Sequence, residues 1–264
     1  MPAKKSSFPS ASPLHPKLRG IIIGASGGIG TALSHRLARA GYTLALVDRN
    51  EQALGPLCGE INKGYEETRA LPYVSNVTDY DTVPDALRHI VADLGGLDLL
   101  VYVAGVIYFP AIDEYNFDED LKMVEVNLLG AMAWMNQAAS LFQSMKCGQI
   151  VGVSSVAGDR GRVGNPGYNT SKAGFTAYLE GLRNRLTRHG VNVITIKPGM
   201  VKTEMLDLPN APRAVFAVSP EKAAEGIWNA IRKRKQQVYI SGVWFWIMLV
   251  LRNIPSFIFR RMNI

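Results

Sequence analysis

Tyr168 and Lys172 stand four residues apart in the stretch SSVAGDRGRVGNPGYNTSKAG, which runs from Ser154 to Gly174. On a helix that spacing stacks the two side chains on one face, one turn from each other. A free phenol titrates near pH ~10, too high for proton transfer at neutral pH. A neighbouring ammonium stabilises the phenolate and brings that value down. Any single Tyr-x-x-x-Lys pair is most simply an exposed helix face. This one follows Ser155, which closes the apolar run GQIVGVSS, and catalytic groups of open α/β sheets gather at strand ends.

A second motif lies near the start. GASGGIG, Gly24 to Gly30, sits directly between an apolar strand pattern and a helix pattern. Its glycines (Gly24, Gly28, Gly30), with Ser26 and Ile29 between them, allow a tight turn. Backbone N–H groups can then approach a pyrophosphate at the positive end of the helix. Outside that strand–turn–helix context the match would be only a βα turn. The next strand pattern ends in VDRN, where Asp48 is placed to accept hydrogen bonds from both hydroxyls of an adenine ribose. Its charge opposes a 2′-phosphate, so NAD(H) is expected. Arg49 beside it can pair with that phosphate and keeps NADP(H) open. A bound, positively charged nicotinamide would lower the Tyr168 pKa further.

These groups need a scaffold, and the remaining pattern supplies one. Continuous apolar runs at Arg19–Gly24, Tyr42–Asp48, Ala70–Val77, Leu97–Gly105, Gly148–Ser155 and Val191–Gly199 alternate with helix-period stretches, the first at Ile29–Ala40. Strands buried on both faces and joined by crossover helices imply a parallel sheet covered on each side. Ser219-Pro220 opens a later helix with an N-cap and a proline at its first position. A short strand follows at Val238–Ile240. No internal repeat or Pro/Gly-rich linker divides the middle of the chain. The expected organisation is a polar, disordered leader at 1–17, one α/β domain at 18–242, and a basic, aromatic-rich tail at 243–264.

Composition narrows the function classes. With 47% apolar and 19% charged residues the 264-residue chain can bury a sizeable core. Cys58 and Cys147 make neither a disulfide framework nor a metal-ligand spacing, which suits a reducing cytoplasm. No metal site is expected. Net charge is +7, and residues 231–264 hold Arg232, Lys233, Arg234, Lys235, Arg252, Arg260 and Arg261 without one Asp or Glu. A basic surface confined to one end, with no base-reading motif, argues against nucleic acid.

In order and spacing these motifs resemble the short-chain dehydrogenase/reductase family over roughly residues 18–240. The match runs through GASGGIG, Asn76-Val77, YVAG (Tyr102–Gly105), VNLLG (Val126–Gly130), Ser155, Tyr168, Lys172 and PGMVKT (Pro198–Thr203). The resemblance implies a single Rossmann-type, doubly wound parallel sheet with helices on both faces. It also implies hydride transfer between NAD(P)H and a carbonyl. Carried over, Tyr168 is the general acid, Lys172 lowers its pKa and holds the nicotinamide ribose, and Ser155 bonds the substrate oxygen. Asn127 organises a water that feeds protons to the lysine. Val201 and Thr203, in the loop begun by Pro198 and Gly199, meet the carboxamide, and Asn76 and Val77 meet the adenine. Ala104 and Gly105 belong to the cofactor pocket. Ile23 stands where the family has Thr, and Tyr102-Val103 where it has Asn-Asn. His15, His35, His89 and His189 fall outside every motif.

The tail, VYISGVWFWIMLVLRNIPSFIFRRMNI, carries nine apolar residues from Val243 to Leu251. That is about half of what a helix needs to cross ~30 Å of hydrocarbon, so a span is not expected. Two readings remain. The run completes a core or a subunit interface, or a short amphipathic extension rests on the membrane interface with Trp at headgroup level and Arg on anionic lipid. SSVAGDRGR, NTSKAG, KPGMVKT and WIMLVLRNIPSFIFRR further resemble the reductase component of decaprenylphosphoryl-ribose 2′-epimerase systems. That resemblance implies reduction of a polyprenyl-phosphate-linked 2-keto pentofuranose, with a flavoenzyme oxidase as partner. The expected protein is a cytoplasmic homodimer or homotetramer with peripheral membrane contact, acting on a small-molecule or lipid-linked carbonyl. A dehydrogenase of soluble or membrane-associated alcohols, steroids or acyl chains is the alternative. A dinucleotide-sensing module without chemistry is more remote. Arg213, the one cation of the loop Glu204–Val218, either meets a phosphate or is simply solvated.

Overall fold

A computed structural model describes residues 18–211 and 214–262. The expected leader at 1–17 and Arg213 therefore lie outside the described residues. Seven strands form one parallel sheet: β1 (Arg19–Ile23), β2 (Thr43–Asp48), β3 (Ala70–Val74), β4 (Leu99–Tyr102), β5 (Gln149–Val153), β6 (Asn192–Pro198) and β7 (Gln237–Ile240). Their spatial order is β3-β2-β1-β4-β5-β6-β7, so the winding reverses between β1 and β4. Strand β7 starts one residue before the expected Val238, whereas each of the first six strands is shorter than its apolar run. The residues beyond its end become the loops at the carboxyl edge, where Ser75–Val77, Val103–Gly105 and Ser154-Ser155 leave the sheet.

Strands this apolar need cover on both faces, and the helices provide it. Ile22, Leu44, Leu46, Ile194 and Ile196 pack against α1 (Gly28–Arg39), α2 (Glu51–Asn62) and α7 (Pro220–Arg232). Ile21, Ile23, Val47, Leu100 and Ile150 face α3 (Val83–Leu94), α5 (Ala131–Met145) and α6 (Pro166–Leu186). Between α4 (Phe117–Val124) and α5 the chain winds one wider, π-helical stretch, Glu125–Gly130. Such insertions in helices are frequent at functional sites, and this one carries Asn127.

The C-terminal segment divides between the two expected readings. In α8 (Val243–Asn253), Trp244 and Met248 are buried against Val156, one turn apart on the inward face. Phe245, Trp246, Leu249 and Val250 on the other side are exposed, as are Phe257 and Ile258 of α9 (Ser256–Phe259). Two adjacent residues from the loop after Ser155 fasten this segment down. Asp159, bonded to Lys197 at 2.5 Å and to Tyr239 at 2.7 Å, ties that loop to β6 and β7. Arg160 donates to the carbonyls of Leu251 (2.5 Å) and Ile254 (2.7 Å) at the end of α8. Its guanidinium also lies 3.8 Å from the centre of the Phe259 ring. Among the described residues no helix is long and apolar enough to cross a membrane.

Candidate active site

Two connected cavities open at the carboxyl edge of the sheet. The cleft of ≈ 340 Å³ at the winding reversal is lined by Gly24, Ser26, Gly28, Ile29, Gly30, Asp48, Arg49, Asn76, Val77, Ala104, Gly105 and Thr203. Gly24 has φ +89° and its Cα lies against the backbone of Ala104, so a side chain there would collide as well as strain the turn. α1 begins at Gly28 with no acidic residue in its first turn and no side-chain cap on its N-terminal N–H groups. Those donors are left for an anion, and the dipole favours one. Asp48 accepts from the Ser26 N–H at 3.0 Å and the Asn50 N–H at 3.1 Å, which holds its carboxylate at the rim of the cleft. Asn76 closes a turn by accepting from the Thr78 N–H at 3.3 Å. The residues present fit a dinucleotide.

The second cavity, ≈ 590 Å³, joins the first at Ile29, Val103, Gly105, Thr203 and Met205. Ser155, Tyr168 and Lys172 line it together, with Pro198, Gly199 and Val201 opposite. The local reasons are short-range. Asn165 caps α6 by accepting from the Tyr168 N–H at 2.9 Å, and Pro166 stands at its first turn, so Tyr168 and Lys172 occupy successive turns. The Ser155 Oγ accepts from the Ala157 N–H at 3.0 Å, which steers the hydroxyl at the strand exit.

Burial dominates the electrostatics. It pushes the Tyr168 phenol upward, while the Ser155 hydroxyl and then the Arg162 guanidinium pull it back. The Lys172 ammonium, brought down to about 8 by burial, donates to the Val153 carbonyl at 3.1 Å and sits 5.8 Å from the centre of the Tyr168 ring. In the protein alone the cation acting on the tyrosine is thus Arg162, where the sequence pointed to Lys172. Asn127 lines neither cavity. Its amide is spent on both backbone groups of Val106 (2.8 and 2.9 Å) and on the Ser171 hydroxyl (3.0 Å), directly behind Gly105.

The chain and its fold have counterparts among known proteins. A family model described as short chain dehydrogenase matches residues 20–213. The chain belongs to the short-chain dehydrogenase family. An uncharacterized oxidoreductase of Myxococcus xanthus is 33% identical over 218 residues, covering 83% of this chain and 85% of the relative. Among solved structures, an actinorhodin polyketide ketoreductase with NADPH aligns with a TM-score of 0.77 at 24% identity, covering 85% of this chain and 95% of the ketoreductase. ElxO with NADP bound aligns at 0.73 and 24% identity, covering 81% and 90%. These likenesses carry the fold of a short-chain dehydrogenase, and the chain is an oxidoreductase of that family.

Three side chains of this dehydrogenase take positions at or behind the site that the sequence reading did not assign to them. Tyr102, standing where an asparagine was expected, is buried and donates to the Val126 carbonyl at 2.6 Å. It thereby braces β4 against the π-helical stretch from inside the core. Trp244 reaches from α8 into the wall of the larger cavity and packs on Gly199, where any side chain would collide with the indole. Arg162 enters the same cavity from the loop between Ser155 and Tyr168. A cation in that interval was the available signal, and its neighbours in sequence do not say which way it points.

Proposed function

We propose that this chain is an NADH-dependent carbonyl reductase whose substrate is lipid-linked, a polyprenyl-phosphate-bound 2-keto pentofuranose being the best fit. Tyr168 donates a proton to the carbonyl oxygen as it becomes an alkoxide, and Ser155 holds that oxygen by a hydrogen bond. Lys172 holds the ribose and stabilises the developing phenolate. Asn127, packed behind Gly105 and bonded to Val106 and Ser171, positions the backbone beside Lys172, where a water feeding protons to the lysine would be organised. The reduced nicotinamide supplies the hydride. A 2-keto sugar arises by oxidation of the 2-hydroxyl, so an oxidase, of the flavin type, is the partner chemistry.

One observation carries the lipid-linked reading. The helix that walls the substrate cavity with Trp244 exposes Phe245, Trp246, Leu249 and Val250 on its outer side, beside Arg252 and the basic end of the chain. A substrate whose head enters the cavity and whose chain stays in a bilayer fits such a helix. Flotation with anionic vesicles tests it. The full chain is expected to float, and Phe245→Ser/Trp246→Ser, which changes only exposed positions, is expected to stay behind while remaining folded. If both float equally, the exposed face of α8 is not the membrane contact; if neither floats and the double variant becomes monomeric, α8 is a subunit interface. A soluble alcohol, steroid or acyl-chain substrate is then the better reading.

Asp48 supports NADH over NADPH, because its carboxylate, anchored on two backbone N–H groups, would face the 2′-phosphate of NADPH. The two similar structures hold NADPH and NADP, and exposed Arg49 favours the same phosphate, so the preference rests on Asp48 alone. Asp48→Ser is expected to lower the NADH-over-NADPH ratio of kcat/KM roughly 100-fold, the scale of one desolvated like-charge contact. A wild-type enzyme that already prefers NADPH overturns the assignment.

A further inference from the structure

One charged group of the substrate cavity acts on Tyr168 only at a distance and has no contact partner of its own. Of the described residues lining that cavity only Lys172 and Arg162 are charged, and none is Asp or Glu. Lys172 belongs to the tyrosine and the ribose. The Arg162 guanidinium, half-buried, forms no ion pair or hydrogen bond with any described residue. Asp159, the acid whose charge acts on it, does not neutralise it through contact, for both of its oxygens are taken by Lys197 and Tyr239. The loop carrying Arg162 is held rather than loose: its carbonyl accepts from the buried Asn169 amide at 3.2 Å, one residue beyond Tyr168 on α6. A guanidinium kept in an apolar cavity without a counter-charge is costly unless an anion arrives to meet its fork of donors.

We propose that Arg162 is the anion-recognition residue of the substrate cavity, selecting carbonyl substrates that carry a phosphate or carboxylate beside the ketone. This rests on the reading of the cavity as the seat of a carbonyl substrate, and it narrows the class. The group accepted by Tyr168 and Ser155 is a ketone, and the group met by Arg162 is an anion close to it. The remaining wall, with Ile107, Phe109, Ile112, Met205, Leu206 and Trp244, takes an apolar remainder. Burial lowers the Arg162 pKa while Tyr168 and Asp159 raise it, which agrees with a cation held short of solvent. A bare alcohol or steroid ketone would leave the guanidinium unmatched.

The test separates binding from turnover. Hexyl phosphate and hexanol are titrated calorimetrically into the NADH-loaded enzyme, wild type, Arg162→Lys and Arg162→Gln. Hexyl phosphate is expected to bind the wild type roughly 10–100-fold more tightly than Arg162→Gln, the range of a hydrogen-bonded charge contact, with Arg162→Lys between. Hexanol is expected to discriminate little. In parallel, the kcat/KM ratio of 2-oxooctanoate over 2-octanone is expected to fall by a similar factor in Arg162→Gln. Equal hexyl phosphate affinity in wild type and Arg162→Gln overturns the proposal. So does an unchanged substrate ratio with an altered pH profile, which would make Arg162 an electrostatic support for Tyr168 alone. If neither ketone is reduced by the wild type, the carbonyl-reductase reading fails, and the hexyl phosphate titration still decides the role of Arg162.

Discussion

Tyr168→Phe is expected to lower kcat/KM for carbonyl reduction roughly 10³-fold while leaving the melting temperature and dinucleotide binding within error of wild type. The substitution removes one oxygen from a ring that otherwise stays in the same wall of the cavity. The helix cap at Asn165 bonds the backbone of residue 168, so it survives the change. What disappears is the proton for the alkoxide. Because burial holds the phenol above its ordinary value, Tyr168 stays protonated through the neutral range and the donor is always loaded. The alkaline limb of the rate profile therefore belongs to Lys172, whose ammonium titrates at about 8. Reduction should fall as pH rises through that value, since the positive charge opposite the developing phenolate is then lost. In Lys172→Arg the charge persists, and the limb should move upward even though overall activity drops. Full activity in Tyr168→Phe, or a limb that ignores Lys172→Arg, would show that another group delivers the proton.

Asp159→Ala is expected to destabilise the fold by about 3–5 kcal/mol, a fall of roughly 10 °C in melting temperature for a chain of this size. Asp159 and Lys197 have side chains only 2% and 4% exposed, and Tyr239 donates to the second carboxylate oxygen. Removing the acid leaves an ammonium buried without a partner, and the loss measures that orphaned charge more than the worth of the pair. A rescue distinguishes the two. Asp159→Ala/Lys197→Met replaces both charges by apolar groups and should recover most of the stability. The single variant should also loosen α8, since Asp159 and Arg160 are neighbours in one short loop and Arg160 grips the end of that helix. Binding of hexyl phosphate should weaken with it, because Trp244 no longer closes the cavity. Loss below about 1 kcal/mol in urea unfolding of the single variant would mean that water reaches Lys197 readily and that the clasp is not what holds the segment.

The parts of this protein that depend on neighbours in sequence were legible before any coordinates. Apolar runs of strand length alternating with helix-period stretches led to the parallel sheet, because a buried strand must be apolar throughout. The glycine turn was readable because strand, turn and helix are consecutive, and Tyr168 and Lys172 because helical geometry converts a spacing of four into a shared face. The cap and proline that start their helix, Asn165-Pro166, also lie beside them in sequence, though only the structure shows them in that role. The tertiary structure decided whatever depends on residues distant along the chain. Tyr102 meets Val126 across 24 positions, Lys197 meets Asp159 across 38, and Arg160 meets Ile254 across 94. No local period encodes those meetings. They follow from which strands are adjacent and which loops share an edge of the sheet. The same holds for Arg162 and Trp244, one a loop cation and the other part of an apolar run when read in sequence. Packing turns both toward the cavity of Tyr168, and burial there, with few groups to screen or satisfy them, makes their direction chemically consequential.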